Sequence, residues 1–149
     1  MKLAIGQFAP TLGDLQGNLE RTREFVEQAT EAGAELVVFP ELSLSGYLIG
    51  DLHELPALPA NDQRLRTATA TAGRAAVVVG FPETDGRHVF NSAALLADGE
   101  LHHVHRKLIL PTYGPFSERE HFAPGDALRA FDTPLGRAAV LLGPRAPGE

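Results

Sequence analysis

The run Leu36-Val-Val-Phe39 stops at Pro40 and Glu41, and Ser43, Ser45 and the turn signal Gly46 follow. A short apolar run bounded in this way is a strand, and a strand that ends in an acid aims that acid at the rim of a sheet, where sites are built. A second run, Ala75-Ala-Val-Val-Val-Gly80, has no polar position to face water and needs a sheet covered on both faces. These two strands commit the chain to a sheet with helices laid on it.

The remaining elements follow from periodicity and punctuation. Residues 2–8 read as a buried strand around Leu3 and Ile5, closed by Pro10. A helix capped by Asn18 has an inward stripe of Leu19, Thr22, Phe25, Val26 and Ala29, an outer face of Glu20, Arg23, Glu24 and Glu27, and a stop at Gly33. Strand two spans Glu35 to Phe39, Leu48 to Pro59 is a loop with a turn of helix, and Asn61 to Ala72 is a second helix. Val89–Leu96 and Glu100–His105 form a hairpin through Asp98-Gly99, a strong hairpin signal. Lys107 to Asp126 is long and irregular, as functional loops are. Leu128–Asp132 and Arg137–Leu142 form a second hairpin across 133–136. The order β-α-β-α-β followed by antiparallel pairs predicts a mixed α/β sheet with helices on one or both sides.

A chain of 149 residues fits one domain with its own core, and 44% apolar against 21% charged residues is globular composition. The net charge of -6, with no basic cluster to offset it, argues against nucleic acid and anionic membranes as partners. Gly6 and Gln7 break the opening segment before a secretory core forms, and no stretch approaches a bilayer span, so a cytoplasmic protein is expected. There is no cysteine, which excludes disulfides, thiolate metal sites and a cysteine nucleophile within this chain.

Further along, Arg106-Lys107-Leu-Ile-Leu-Pro111-Thr-Tyr-Gly114 repeats the punctuation found around Glu41, and Phe116-Ser-Glu118 follows it. Glu41, Lys107 and Glu118 are therefore the ionisable groups to weigh first. Taken in order, Gly6-Gln7, Phe39-Pro40-Glu41-Leu42 with Gly46-Tyr47, His105-Arg-Lys107 with Leu110-Pro111, and Phe116-x-Glu118 with Phe122-x-Pro-Gly125 resemble the nitrilase-related carbon-nitrogen hydrolases across essentially the whole chain. The resemblance implies an α-β-β-α sandwich, of which this chain would supply half. It also implies hydrolysis or transfer of acyl groups of amides, nitriles and carbamoyl compounds, a small-molecule amide or nitrile substrate, and no cofactor.

Carried over by position, Glu41 would be the general base and acid, Lys107 the cation on the oxyanion side and Glu118 the second acid, while Tyr47, Tyr113 and Phe116 would contact substrate. The family's cysteine would stand at the end of the strand after Gly136-Arg137, where this chain has Gly143-Pro144-Arg145. Residues 1–149 then make one domain truncated on its C-terminal side, family-like to Leu142 with a divergent tail at 143–149. Gly46-Tyr47 with Asp51-Leu52 and the string Tyr113-Gly-x-Phe-x-Glu118 are most similar to the glutamine-hydrolysing domain of glutamine-dependent NAD synthetases, although Glu120 stands where that subgroup usually carries arginine.

The chemistry fits these residue types. A thiolate attacking an amide carbon needs a neighbour to take its proton and pass it to departing ammonia, which a carboxylate partly withdrawn from water can do. The intermediate gathers negative charge that a fixed ammonium in a dry pocket stabilises well. Neither group replaces the nucleophile, so no appreciable amidase activity is expected of the chain. Plainer readings exist for each residue: Glu41 as a turn acid, Lys107 as a solvated lysine, Glu118 as part of a charged loop with Arg119 and Glu120. His103 and His105 share a strand face beside His102, but spacing supplies no third ligand, so no metal is expected. Ser43 and Ser45 lack a Gly-x-Ser-x-Gly elbow.

A rival of another class is a non-catalytic binding protein that keeps the half-site and pairs with a second chain. Half a sandwich leaves apolar sheet surface and strand edges exposed, which would promote a homo-oligomer or partner binding.

Overall fold

A computed structural model describes residues 1–47, 56–112, 117–133 and 135–143. Its elements are β1 (Leu3–Ile5), α1 (Leu15–Glu31), β2 (Leu36–Val38), α2 (Gln63–Thr69), β3 (Ala76–Thr84), β4 (Val89–Ala97), β5 (Glu100–Arg106), α3 (Glu118–His121), β6 (Ala130–Thr133) and β7 (Gly136–Ala139), with a 3-10 turn at Ala70–Ala72 after α2. The main sheet runs β1-β2-β3-β4-β5, parallel as far as β3 and antiparallel beyond, while β6 and β7 form a separate hairpin. This is the mixed α/β sheet expected.

Two successive parallel crossovers with the usual right-handed sense put α1 and α2 on the same face. There Leu19, Val26 and Leu65 from the helices pack on Val37, Val77, Val79, Phe81, Ala94 and Leu96 from the strands. Each such aliphatic, removed from water, contributes about 1.5 to 3 kcal/mol, so this layer carries most of the hydrophobic stabilisation. The opposite face of the sheet meets the β6-β7 hairpin, where the Phe131 ring stacks on His103 at 4.0 Å.

The edge strand β1 departs from expectation. Leu3 and Ile5 are 50% and 70% exposed, and Ala4 is the residue packed against the helix-side core. Side chains alternate along a strand, and Ala4 is registered on fully buried Val37, so its neighbours must point away from the helices. The cap of α1 is also corrected: Asp14 Oδ1 accepts from Gly17 N at 3.0 Å, so the cap lies four residues before the expected one. Asn18 is buried within the first turns instead, where it ties Thr11 and the Leu44 carbonyl to the helix. Gly33 ends the helix as expected, in the left-handed region at φ +81°.

The second helix is shorter than expected, capped by Asp62 and tightening into the 3-10 turn over its last residues. The Asp98-Gly99 hairpin is confirmed, with both residues at positive φ as a type I′ turn requires. Within the irregular stretch after Lys107 lies the short helix α3. The expected helical turn between Leu48 and Pro59 falls largely on residues outside those described.

Candidate active site

Glu41 is held by a turn pressed onto β3. Leu44 N and Ser43 Oγ both donate to the Gly80 carbonyl, at 3.2 and 3.1 Å, while Ser43 N reaches the Pro40 carbonyl at 3.3 Å. Leu42, beside the acid, adopts φ +52°, a strained conformation for a leucine that is kept only where surroundings over-determine it. Gly80 makes the approach feasible, because a Cβ there would stand 2.5 Å from the Pro40 oxygen and 2.7 Å from Leu42 N. Ser43 and Ser45, both buried, serve this turn rather than chemistry.

Lys107 arrives at the end of β5. Its main-chain N donates to the Asn91 carbonyl at 2.8 Å, and its own carbonyl accepts from Gly125 N at 2.8 Å. The side-chain period of two sends Arg106 and Lys107 to opposite faces. Arg106 turns to the helix side, where it forms a bidentate pair with buried Glu83 at 2.6 and 2.9 Å and lies over the Phe90 ring. That contact holds the guanidinium above its ordinary pKa. Lys107 turns to the other face and is 2% exposed.

There the Lys107 ammonium lies 2.8 Å from Glu41 Oε1 and 2.8 Å from Glu118 Oε1. Glu118 opens α3, its main chain fixed by the Pro111 carbonyl, and Tyr47 Oη donates to its Oε1. Phe122, one turn on, packs with Leu42 and Leu110 as a small second core beneath these groups. Asn91 Nδ2 adds a bond to Glu41 Oε1 at 2.7 Å. Burying a lysine is tolerable because two carboxylates compensate it.

Glu41 also faces a cavity of about 300 Å³, walled by Val38, Phe39, Val78, Gly80 and Ala93 of the sheet and by Val140 to Gly143 after β7. Gly143, where the sequence resemblance puts the nucleophile, therefore rims the same cavity as Glu41, and a Cβ on it would meet nothing within 4 Å.

Four residues singled out from sequence, Glu41, Lys107, Glu118 and Tyr47, are thus brought together, while Tyr113 and Phe116 lie outside the described residues. Asn91 was missed. Its signal was the polar pair Asn91-Ser92 inside an otherwise apolar strand, which demands a polar partner on each face of the sheet: Glu41 for one, Glu83 for the other. The histidines do not converge: His102 bonds the Ala97 carbonyl, His103 stacks on Phe131, and His105 is buried with neither ring nitrogen bonded among the described residues. Burial pushes the His105 imidazole below its ordinary pKa.

Against known families, the profile described as "Carbon-nitrogen hydrolase" matches residues 2–142. The chain belongs to the carbon-nitrogen hydrolase family. Among curated relatives of this hydrolase-family chain, the glutamine-dependent NAD(+) synthetase of Thermotoga maritima is 40% identical over 132 residues, covering 86% of this chain and 23% of the relative. That of Acinetobacter baylyi is 35% identical over 142 residues, 95% of this chain and 26% of the relative. The chain thus spans about a quarter of these relatives' length.

Among solved structures, a glutamine-dependent NAD+ synthetase from Acinetobacter baumannii superposes with a TM-score of 0.78 at 34% identity, over 93% of this chain and 27% of that one. An amidase from Nesterenkonia sp. gives 0.76 at 27% identity, over 95% and 54%. A mutant of the latter amidase carries an acetamide moiety covalently bound at its active site cysteine. Both comparisons bear out the resemblance drawn from sequence and the nitrilase-type α/β fold. Among the described residues no helix is long and apolar enough to cross a membrane.

Proposed function

We propose that this chain carries the acid-base and cationic part of a carbon-nitrogen hydrolase site directed at a small-molecule amide of the glutamine type, and that it does not cleave that amide unaided. The observation that carries the reading is the bridge of one buried ammonium, Lys107, to Glu41 and Glu118 at 2.8 Å each, beside a cavity rimmed by Gly143. Glu41 would move the proton between nucleophile and leaving ammonia. Lys107 would stabilise the charge developing on the carbonyl oxygen, and Glu118 with Tyr47 would fix the lysine. Glutamine as the amide rests on the named relatives, and Tyr113 and Phe116 remain substrate contacts by resemblance.

Without a thiol at position 143 the covalent step has no acceptor. The chain as it stands should release no ammonia from glutamine or simple amides. The Gly143→Cys variant should release it, and adding Glu41→Gln should abolish that gain. Ammonia release by the unaltered chain, or release from the thiol variant that ignores Glu41, would overturn the assignment.

A second reading, a binding protein that pairs with another chain, is favoured by Leu3 and Ile5, which stand exposed on the sheet face away from the helices. Size-exclusion chromatography with light scattering decides it: a folded oligomer of fixed stoichiometry supports pairing, and a folded monomer removes it.

A further inference from the structure

We propose that Asn91 is the positioning residue that fixes which oxygen of Glu41 faces the reacting centre, an inference that rests on the functional reading above. Glu41 has two donors among the described residues, Asn91 Nδ2 at 2.7 Å and Lys107 Nζ at 2.8 Å, and both go to Oε1. Oε2 takes no bond from them, and Glu41 lines the cavity rimmed by Gly143. A carboxylate pinned through one oxygen presents the other with its lone pairs free, as a base needs.

The same residue sets the height of the lysine, since the Asn91 carbonyl accepts from Lys107 N at 2.8 Å. One residue near the start of β4 therefore holds the base through its side chain and the cation through its main chain. The amide is retained at a cost to the fold. Asn91 is 0% exposed, and its Oδ1 is buried with no hydrogen-bond partner among the described residues. An apolar side chain of the same size would lose the bond to Glu41 but also remove that orphan acceptor, and the two effects offset each other, so orientation of Glu41, and not net stability, is what the amide supplies.

The test uses the whole chain and compares it with Asn91→Leu by nuclear magnetic resonance. Side-chain couplings of Glu41 should report one rotamer in the parent and averaging in the variant, while the thermal midpoint changes little. A variant that is destabilised yet keeps a single Glu41 rotamer overturns the proposal, because Lys107 alone would then suffice. Should Asn91→Leu not fold, Glu41→Gln gives the second measurement: the Asn91 side-chain amide protons should move upfield on losing a charged acceptor, and unchanged shifts overturn the proposal equally. In the Gly143→Cys background, Asn91→Leu should lower kcat by roughly a hundredfold with KM little altered. Failure of Gly143→Cys to release ammonia counts against the functional reading alone, since the rotamer measurement needs no turnover.

Discussion

Lys107 Nζ lies 2.8 Å from Glu41 Oε1, although 66 positions separate the two residues in the chain. The pair is held with Glu118 in a pocket that hides the ammonium almost completely. Removing the cation leaves two carboxylates facing each other without compensation. Lys107→Met should therefore destabilise the fold by about 3 to 5 kcal/mol, read from urea unfolding. A loss within the noise of that measurement would mean that the three groups do not meet in solution.

Tyr47→Phe keeps the ring that packs beside Leu42 and Leu110 and deletes the hydroxyl that donates to Glu118. A hydrogen bond to a charged group contributes about 1.5 to 3 kcal/mol, and a loss in that range is expected in the same assay. A silent substitution would detach Tyr47 from the cluster.

Gly80→Ala tests how the acid is presented. The added methyl would collide with the Pro40 oxygen and Leu42 N, main-chain atoms that cannot step aside cheaply. We expect a cost of about 1 to 3 kcal/mol and displacement of the turn bearing Glu41, visible as amide shift changes across residues 41–46. A variant as stable as the parent with unmoved resonances would contradict the close approach.

Stability should also fall on mild acidification. His105 and His103 are both pushed below the ordinary imidazole value of 6.5, chiefly by burial, so each is harder to protonate in the folded chain than in the unfolded one. Their contribution is fully present above that value and is lost as pH drops below it towards the folded values, because the unfolded chain then binds more protons. The thermal midpoint should be level above about pH 7 and decline by about pH 5, less steeply in His105→Leu. An equally steep decline in that variant would remove His105 as a cause.

Much of this was legible in the chain itself. The apolar runs before Pro40 and before Gly80, the helix stripe from Leu19 to Val26 and the Asp98-Gly99 turn are local signals, decided by period and by the φ values that particular residues accept. The acid and the lysine were visible because each stands near strand-ending punctuation, Pro40 before Glu41 and Pro111 after Lys107. Other features needed partners distant in sequence. Alternation around Leu3 and Ile5 reads as a buried strand, but it does not say which side of β1 faces the helices; register on Val37 gives that place to Ala4. Asn18 resembles a cap from sequence, yet Thr11 and Leu44 recruit it and leave the cap to Asp14.

The sequence by itself determined that strands and helices alternate here, where they turn, and that a carboxylate and a lysine stand at strand ends in a family-like order. Tertiary structure alone decided that one buried ammonium joins Glu41 to Glu118, that Asn91 completes the set, and that Gly143 borders the cavity Glu41 lines. The reason is range: turn and period are fixed by the chemistry of neighbouring residues, whereas a charge can be buried only where the folded chain brings opposite charges and donors from distant segments to within a few ångströms of it.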